Sequence, residues 1–124
     1  MDKMMILVID GCAPEYLTEE TAPDVYALAR DLGFVKTVKS AIPSVTNVNH
    51  ACILSGRFPK DTKVVGNYYY DPVTKAEGLI EERGFMKAET ILEAYKKAGK
   101  EHALLPVTGK VRGCAGHVAA HTSP

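Results

Sequence analysis

The apolar run "MMILVID" constrains the fold of this chain more than any other stretch. Every residue from 4 to 9 is apolar, and Asp10 and Gly11 close the run. An unbroken run predicts a strand buried on both faces, as in a parallel sheet, because a strand with one solvent face would alternate. A membrane span would need about 20 apolar residues. The run therefore favours an α/β protein over a membrane protein.

Three later stretches carry helical signals. They are "TAPDVYALARDLG" (21–33), "NVNHACILSG" (47–56) and "KAETILEAYKKAGK" (87–100). The first lies between a proline near its start and a glycine at its end, and each of the other two has a glycine at or near its end. The last also shows an apolar stripe with lysines near its C-terminal end. We therefore predict three helices.

Further strands are predicted at "FVKTVKSAI" (34–42) and "HALLPV" (102–107), with a loop over 57–78. The order β-α-β-α-loop-α-β predicts a three-layer α/β fold with a mainly parallel sheet. So few strands would leave a long sheet edge exposed. We therefore expect an incomplete fold, with residues 1–105 forming the N-terminal part of a larger domain and residues 106–124 a divergent or truncated tail.

Charge and cysteine content exclude several classes of ligand and site. Lys plus Arg equals Asp plus Glu, at 15 each, so no net positive charge attracts a nucleic acid polymer. The three cysteines are widely spaced and lack a CxxC pair, which argues against a disulfide framework and against a cysteine zinc site. The pattern fits a reducing compartment. We expect a cytoplasmic protein with a small-molecule ligand and no membrane partner.

Asp10 is the first candidate site residue, because it follows the predicted buried strand. Ligands of open α/β sheets gather at the carboxyl ends of the strands. A carboxylate there is a hard oxygen ligand that suits zinc, manganese or magnesium. Asp–Gly is also a common turn pair, so Asp10 is equally explained as the start of a turn.

Thr46 is the second candidate, at or beside the N-cap of the predicted helix. Backbone N–H groups there are unpaired and the helix dipole is positive, so a phosphoryl group is stabilised. A threonine hydroxyl becomes a useful nucleophile when a divalent ion lowers its pKa. The alternative is an ordinary N-cap that contributes about 1 kcal/mol to stability.

Asn67, within "GNYYYDP", is the third candidate. Its amide N–H groups suit a developing phosphoryl charge, and removing such a donor costs about 2.7 to 4 kcal/mol of transition-state stabilisation. The alternative is a Gly-Asn turn residue without a ligand.

Together, "VIDGCAPEYL", "IPSVTNVNHACILSGRFP" and "GNYYYDP" resemble the alkaline phosphatase superfamily. The similar branch is the type I phosphodiesterase/nucleotide pyrophosphatase group, which includes phosphonoacetate hydrolase. The resemblance covers roughly residues 4 to 105. It implies that Asp10 binds a metal ion, that Thr46 is both nucleophile and metal ligand, and that Asn67 binds the phosphoryl oxygens.

The resemblance also implies two divalent ions, usually zinc, with manganese as an alternative. Attack by Thr46 would give a phospho-threonine, which water hydrolyses. The implied enzyme is a hydrolase of phosphodiester, pyrophosphate or phosphonate bonds. A catalytic zinc site has three protein ligands, whereas Asp10 and Thr46 provide two, so we expect this chain to be inactive alone.

A non-catalytic interpretation remains open: a small α/β module that binds a phosphorylated small molecule at the Thr46 helix terminus without turnover. A dinucleotide-binding fold is disfavoured, because "DGCAPEY" after the first predicted strand lacks the glycines of the GxGxxG motif.

Overall fold

The computed structural model describes residues 5–100, which belong to two compact units, Met1–Lys39 and Ser40–Pro124. The described helices are α1 (Pro23–Leu32), α2 (Thr46–Ser55), α3 (Pro59–Thr62) and α4 (Ile91–Lys97). The strands are β1 (Tyr68–Tyr70) and β2 (Glu77–Leu79), and short 3₁₀ turns occupy Pro14–Tyr16 and Arg83–Phe85. Within residues 5–100, no helix has the length and apolar character needed to cross a bilayer.

Helix α1 is the regular element of the first unit, and local sequence signals account for it. A proline occupies its first turn together with Asp24, and Arg30 lies in its last turn. Both charges interact favourably with the helix dipole. The proline lacks a backbone N–H, which would have no hydrogen-bond partner within the first turn of a helix. None of its residues is buried. The helix predicted over this stretch is confirmed.

The strand predicted from the apolar run is not formed. Residues 5–9 have no regular secondary structure and are exposed, with Met5 at 87% and Leu7 at 70% of full exposure. Residues 34–42 also form no strand. A strand is held by backbone hydrogen bonds to a neighbouring strand, and apolar composition does not supply that neighbour. The predicted strand at 102–107 lies outside the described residues.

Helix α2 is the centre of the second unit. Val48 and Ala51 are fully buried on it and pack with Val64, Ile80 and Met86 to form the core. The helix ends at Gly56, which has the left-handed φ of 64° that favours glycine at this position. The predicted helix and its glycine end are therefore confirmed.

The predicted loop over 57–78 instead contains α3 and most of a hairpin. Strands β1 and β2 pair antiparallel, with Tyr69 opposite Gly78. The Tyr69 ring packs on Phe85, with the ring centroids 4.7 Å apart. The described residues thus form one antiparallel pair rather than the predicted parallel sheet. The pair was missed because its strands are short and the proline, glycine and aspartate around them are typical of loops.

Helix α4 begins with a capping box. The Thr90 side chain accepts from the Glu93 N–H, and the Glu93 carboxylate accepts from the Thr90 N–H. Glu93 also forms an ion pair with Arg83, at 2.7 Å. Hydrogen bonds from Arg83 hold the pKa of Glu93 down at about 2. The network joins the 3₁₀ turn at Arg83 to the start of α4.

Candidate functional site

Asp10 lies in a turn in the first unit. Its neighbour Gly11 has a φ of 70°, as an Asp–Gly turn requires, and Asp10 is exposed. Thr46 and Asn67 belong to the second unit. A metal ion shared by Asp10 and Thr46 stays a prediction.

Thr46 is the first residue of α2, and the N-cap is Val45. The Val45 side chain has no oxygen, so it gives no hydrogen bond to the first turn. The cap therefore comes from elsewhere in the chain. The prediction that Thr46 lies at or beside the N-cap is confirmed, with Thr46 one residue inside it.

Asn67 provides that cap from 20 residues further along the chain. Its side-chain Oδ1 accepts the backbone N–H of Asn47 at 3.0 Å, directly beside Thr46. An N–H requires an acceptor, so this bond fixes which end of the Asn67 amide faces the helix. The donors on Nδ2 are then the atoms with which Asn67 would bind a ligand. The structure thus brings Thr46 and Asn67 together.

His50 supports the same helix start from one turn further on. Its Nδ1 lies 2.8 Å from the Thr46 carbonyl oxygen, and the His50 side chain is buried. A carbonyl oxygen only accepts, so the Nδ1 nitrogen carries the proton in this bond. The contact fixes the His50 ring against the residue that carries the candidate hydroxyl.

Asn47 also joins this helix start to a later segment, although no sequence motif singled it out. It is 1% exposed, and its Nδ2 donates to the Ile80 carbonyl at 2.8 Å. A signal existed, because helical spacing places Asn47 on the same stripe as the buried Ala51 and Leu54. A polar residue on a buried stripe implies a specific hydrogen-bond partner.

The described residues do not supply a complete metal site. Among residues 5–100, no group of three or more His, Cys, Asp or Glu side chains is placed to hold an ion. The Asp10 carboxylate and the Thr46 hydroxyl are oxygen donors of the kind that hard divalent ions take. Two donors fall short of the three protein ligands of a catalytic zinc site, so further ligands would have to come from outside these residues.

The chain matches a known protein family over most of its length. Residues 4–118 match the model of the family described as type I phosphodiesterase/nucleotide pyrophosphatase. The chain is similar to the crystal structure of phosphonoacetate hydrolase from Sinorhizobium meliloti in complex with phosphonoacetate, with a TM-score of 0.72 and 35% identity. That match covers 87% of this chain and 27% of the other. The same enzyme with phosphonoformate gives a TM-score of 0.59 and 39% identity, over 73% of this chain and 22% of the other.

Two relatives give the same result at the level of sequence. An ectonucleotide pyrophosphatase/phosphodiesterase of Caenorhabditis elegans is 32% identical over 98 residues, which is 76% of this chain and 13% of the relative. An uncharacterized pyrophosphatase/phosphodiesterase of Schizosaccharomyces pombe is 31% identical over 71 residues, 57% of this chain and 15% of the relative. The chain thus spans a small fraction of the length of these relatives.

These matches confirm the predicted fold class and the predicted family. The structural match, which covers only part of the phosphonoacetate hydrolase chain, confirms an incomplete α/β fold. The names of the relatives are those of hydrolases of phosphodiester, pyrophosphate or phosphonate bonds. The family match includes the stretches that carry Asp10, Thr46 and Asn67. The chain belongs to the type I phosphodiesterase/nucleotide pyrophosphatase family.

Proposed function

We propose that this chain is the nucleophile-bearing part of a metal-dependent hydrolase of phosphodiester, pyrophosphate or phosphonate bonds. Residues 1–105 would form the N-terminal part of its catalytic domain, and residues 106–124 a divergent tail. The observation that carries the proposal is the hydrogen bond between the Asn47 N–H and the Asn67 Oδ1, at 3.0 Å. It joins the Asn67 amide to the helix turn that begins with Thr46.

In the proposed reaction, the Thr46 Oγ1 attacks the phosphorus of the substrate. The bond from phosphorus to the leaving group breaks, and the hydroxyl proton passes through solvent water to the leaving group, giving a phospho-threonine. Water then attacks the phosphorus, the bond to Oγ1 breaks, and the threonine hydroxyl is restored. The positive end of the α2 dipole and the Asn67 Nδ2 would stabilise the phosphoryl oxygens in both steps.

The family implies two divalent ions, zinc in the first place and manganese as an alternative. Asp10 and Thr46 would contribute two of the ligands, and the ions would supply positive charge at the reacting oxygens. The other ligands are not found among residues 5–100. We therefore expect the 124-residue chain to be inactive alone.

The proposed substrate is a small phosphoester or phosphonate rather than a nucleic acid polymer. The formal net charge is zero, so the chain has no excess of positive charge with which to attract a polyanion. We also propose a cytoplasmic location, for which the cysteine pattern is the only support.

Replacing Thr46 by alanine tests the nucleophile. The variants Thr46→Ala and Thr46→Ser are made in the longest gene product that contains this chain, with zinc added, and in the 124-residue chain. Substrates are a nitrophenyl phosphodiester, a nucleotide pyrophosphate and phosphonoacetate. We expect Thr46→Ala to lower kcat at least about 10³-fold, because the attacking oxygen is gone. Thr46→Ser keeps that oxygen and should retain measurable turnover.

Covalent phosphorylation gives a second readout, by mass spectrometry of acid-quenched enzyme. The matched control is Thr37→Ala, because Thr37 is an exposed threonine of the first unit. Phospho-enzyme in the Thr37 variant and none in the Thr46 variant is the expected pattern. Phospho-enzyme in Thr46→Ala would contradict the proposed nucleophile.

A non-catalytic phosphate-binding module is the second candidate. It is favoured by the incomplete set of metal ligands in the described part of the chain. Binding of inorganic phosphate that is lost in Asn67→Ala, without turnover of any of the three substrates by the longer gene product, would select this candidate.

A further inference from the structure

Three hydrogen bonds form a closed ring around the start of α2. The Asn47 backbone N–H donates to the Asn67 Oδ1 at 3.0 Å. The Ile80 backbone N–H donates to the Asn67 carbonyl at 2.9 Å. The Asn47 side-chain Nδ2 donates to the Ile80 carbonyl at 2.8 Å. The ring, which we call the Asn47 ring, joins the first turn of α2 to the open end of the hairpin, where β1 begins and β2 ends.

The Asn47 side chain closes this ring from a fully buried position. It is 1% exposed, and its neighbour along the helix, Val48, is 0% exposed. A hydrogen bond away from water is strong and directional, and losing it would leave the Ile80 carbonyl without its side-chain donor. Ile80 is itself 5% exposed and belongs to the core.

The ring has a geometric consequence for Asn67. This residue directly precedes β1, and Ile80 directly follows β2. Their backbone hydrogen bond therefore continues the pairing of the hairpin by one step. The Asn47 side chain donates to the Ile80 carbonyl at this point. This bond helps to fix the position of the hairpin relative to α2.

We propose that Asn47 is a positioning residue, which holds the Asn67 amide at the first turn of α2, the turn that begins with Thr46. This inference rests on the proposed function. Without the Asn47 side chain, the bond to Ile80 is lost and the bond from the Asn47 backbone N–H to Asn67 remains. The open end of the hairpin is then held to α2 by one bond of the ring instead of two, and the Asn67 Nδ2 shifts relative to the phosphoryl oxygens. A displacement of about 1 Å in a reacting constellation can cost about 10²-fold in rate.

Asn49 offers a matched control on the same helix. Its Oδ1 accepts the Ala41 N–H at 2.9 Å, and its Nδ2 donates to the Val45 carbonyl at 3.1 Å. Asn49→Ala therefore removes two side-chain hydrogen bonds of an asparagine on α2, whereas the Asn47 variants remove the side-chain bond to Ile80. Neither of these bonds reaches the hairpin, so this variant leaves the Asn47 ring intact.

The first experiment measures the ring directly, by NMR on the 124-residue chain. The variants are Asn47→Ala, Asn47→Leu, which fills most of the lost volume, and Asn49→Ala. We expect both Asn47 variants to shift the Asn67 side-chain amide resonances and to speed hydrogen exchange at the Ile80 amide at least tenfold. Asn49→Ala should leave both signals unchanged. Equal effects of all three variants, or none from the Asn47 variants, would overturn the inference.

The second experiment separates positioning from stability by kinetics, in the longest gene product that contains the chain. We expect Asn47→Leu to lower kcat at least tenfold while KM changes less than about threefold, because the interaction with the transition state is lost. Asn49→Ala should change kcat less than threefold. An unchanged kcat in Asn47→Leu overturns the inference. If the unsubstituted protein shows no turnover, the proposed function fails, and the NMR result alone decides the role of Asn47 in holding Asn67.

Discussion

The two units of this chain differ in whether they bury apolar residues. In residues 5–39, the most apolar stretch of the sequence is exposed, and no described residue is buried. In residues 40–100, a helix of small and polar residues buries Val48 and Ala51 against three side chains from later segments. The comparison shows that the hydrophobicity of a segment does not bury it unless other segments provide a surface for it to pack against.

The same contrast holds for ion pairs. Arg30 and Asp31 are adjacent in sequence and exposed, and the pair joins no two segments. Arg83 and Glu93 lie ten residues apart, and each is about two-thirds buried. Arg83 also donates to the carbonyls of Met86 and Ala88. Of these two pairs, only Arg83–Glu93 therefore connects separate segments of the chain.

The largest expected difference between the units is at their methionines. Met86 is 3% exposed in the core of the second unit, whereas Met5 is 87% exposed in the first. Met86→Ala should lower the free energy of unfolding by about 2 to 5 kcal/mol, because it leaves a cavity. Met5→Ala should change it by less than about 0.5 kcal/mol. Urea unfolding of the 124-residue chain, followed by circular dichroism, measures both. Equal losses in the two variants would contradict the difference in burial between the units.

The next effect in size is at Glu93, whose pKa is held at about 2 by Arg83. Glu93→Gln should cost about 1 to 2 kcal/mol at pH 7, since solvent screening reduces the value of a partly exposed pair. A lowered pKa stabilises the folded state above the unfolded pKa of 4.5, and this stabilisation is lost as pH falls towards 2.

The matched control is Asp31→Asn in the first unit. A hydrogen bond from Arg30 lowers the pKa of Asp31, but both side chains are exposed to solvent, which screens the pair, so we expect no measurable change in unfolding free energy. Unfolding curves at several pH values between 2 and 7 check both variants. A Glu93→Gln difference that persists unchanged at pH 2 would rule out the ion pair as its cause.

The smallest predicted effect is at the cap of α4. Thr90→Ala removes the oxygen that accepts the Glu93 N–H and should cost about 1 kcal/mol. Thr90→Ser keeps the oxygen and should cost less. Helix α1 has Ala22 as its N-cap, with no side-chain hydrogen bond, so it offers no corresponding loss. Thermal unfolding of the two Thr90 variants measures the difference, and identical curves would show that the cap contributes nothing to stability.

Much of the site was predictable from the sequence, although its assembly was not. The helix that begins at Thr46 and its end at Gly56 follow from local signals, and the resemblance singled out Asn67 from its motif. That Asn67 caps the first turn of α2 was not predictable, because the two residues lie in different segments and the cap replaces an oxygen that Val45 lacks. The structural role of Asn47 was missed for the same reason.

Local sequence was sufficient to predict helices α1, α2 and α4, the glycine ends of α1 and α2, and the family motifs, since these depend on residues within a few positions of one another. Contacts between distant segments set which apolar segments are buried, pair Tyr68–Tyr70 with Glu77–Leu79, and bring Asn47, Asn67 and Ile80 together. These features were not predictable because a strand, a buried amide and a core each require a partner from a distant segment.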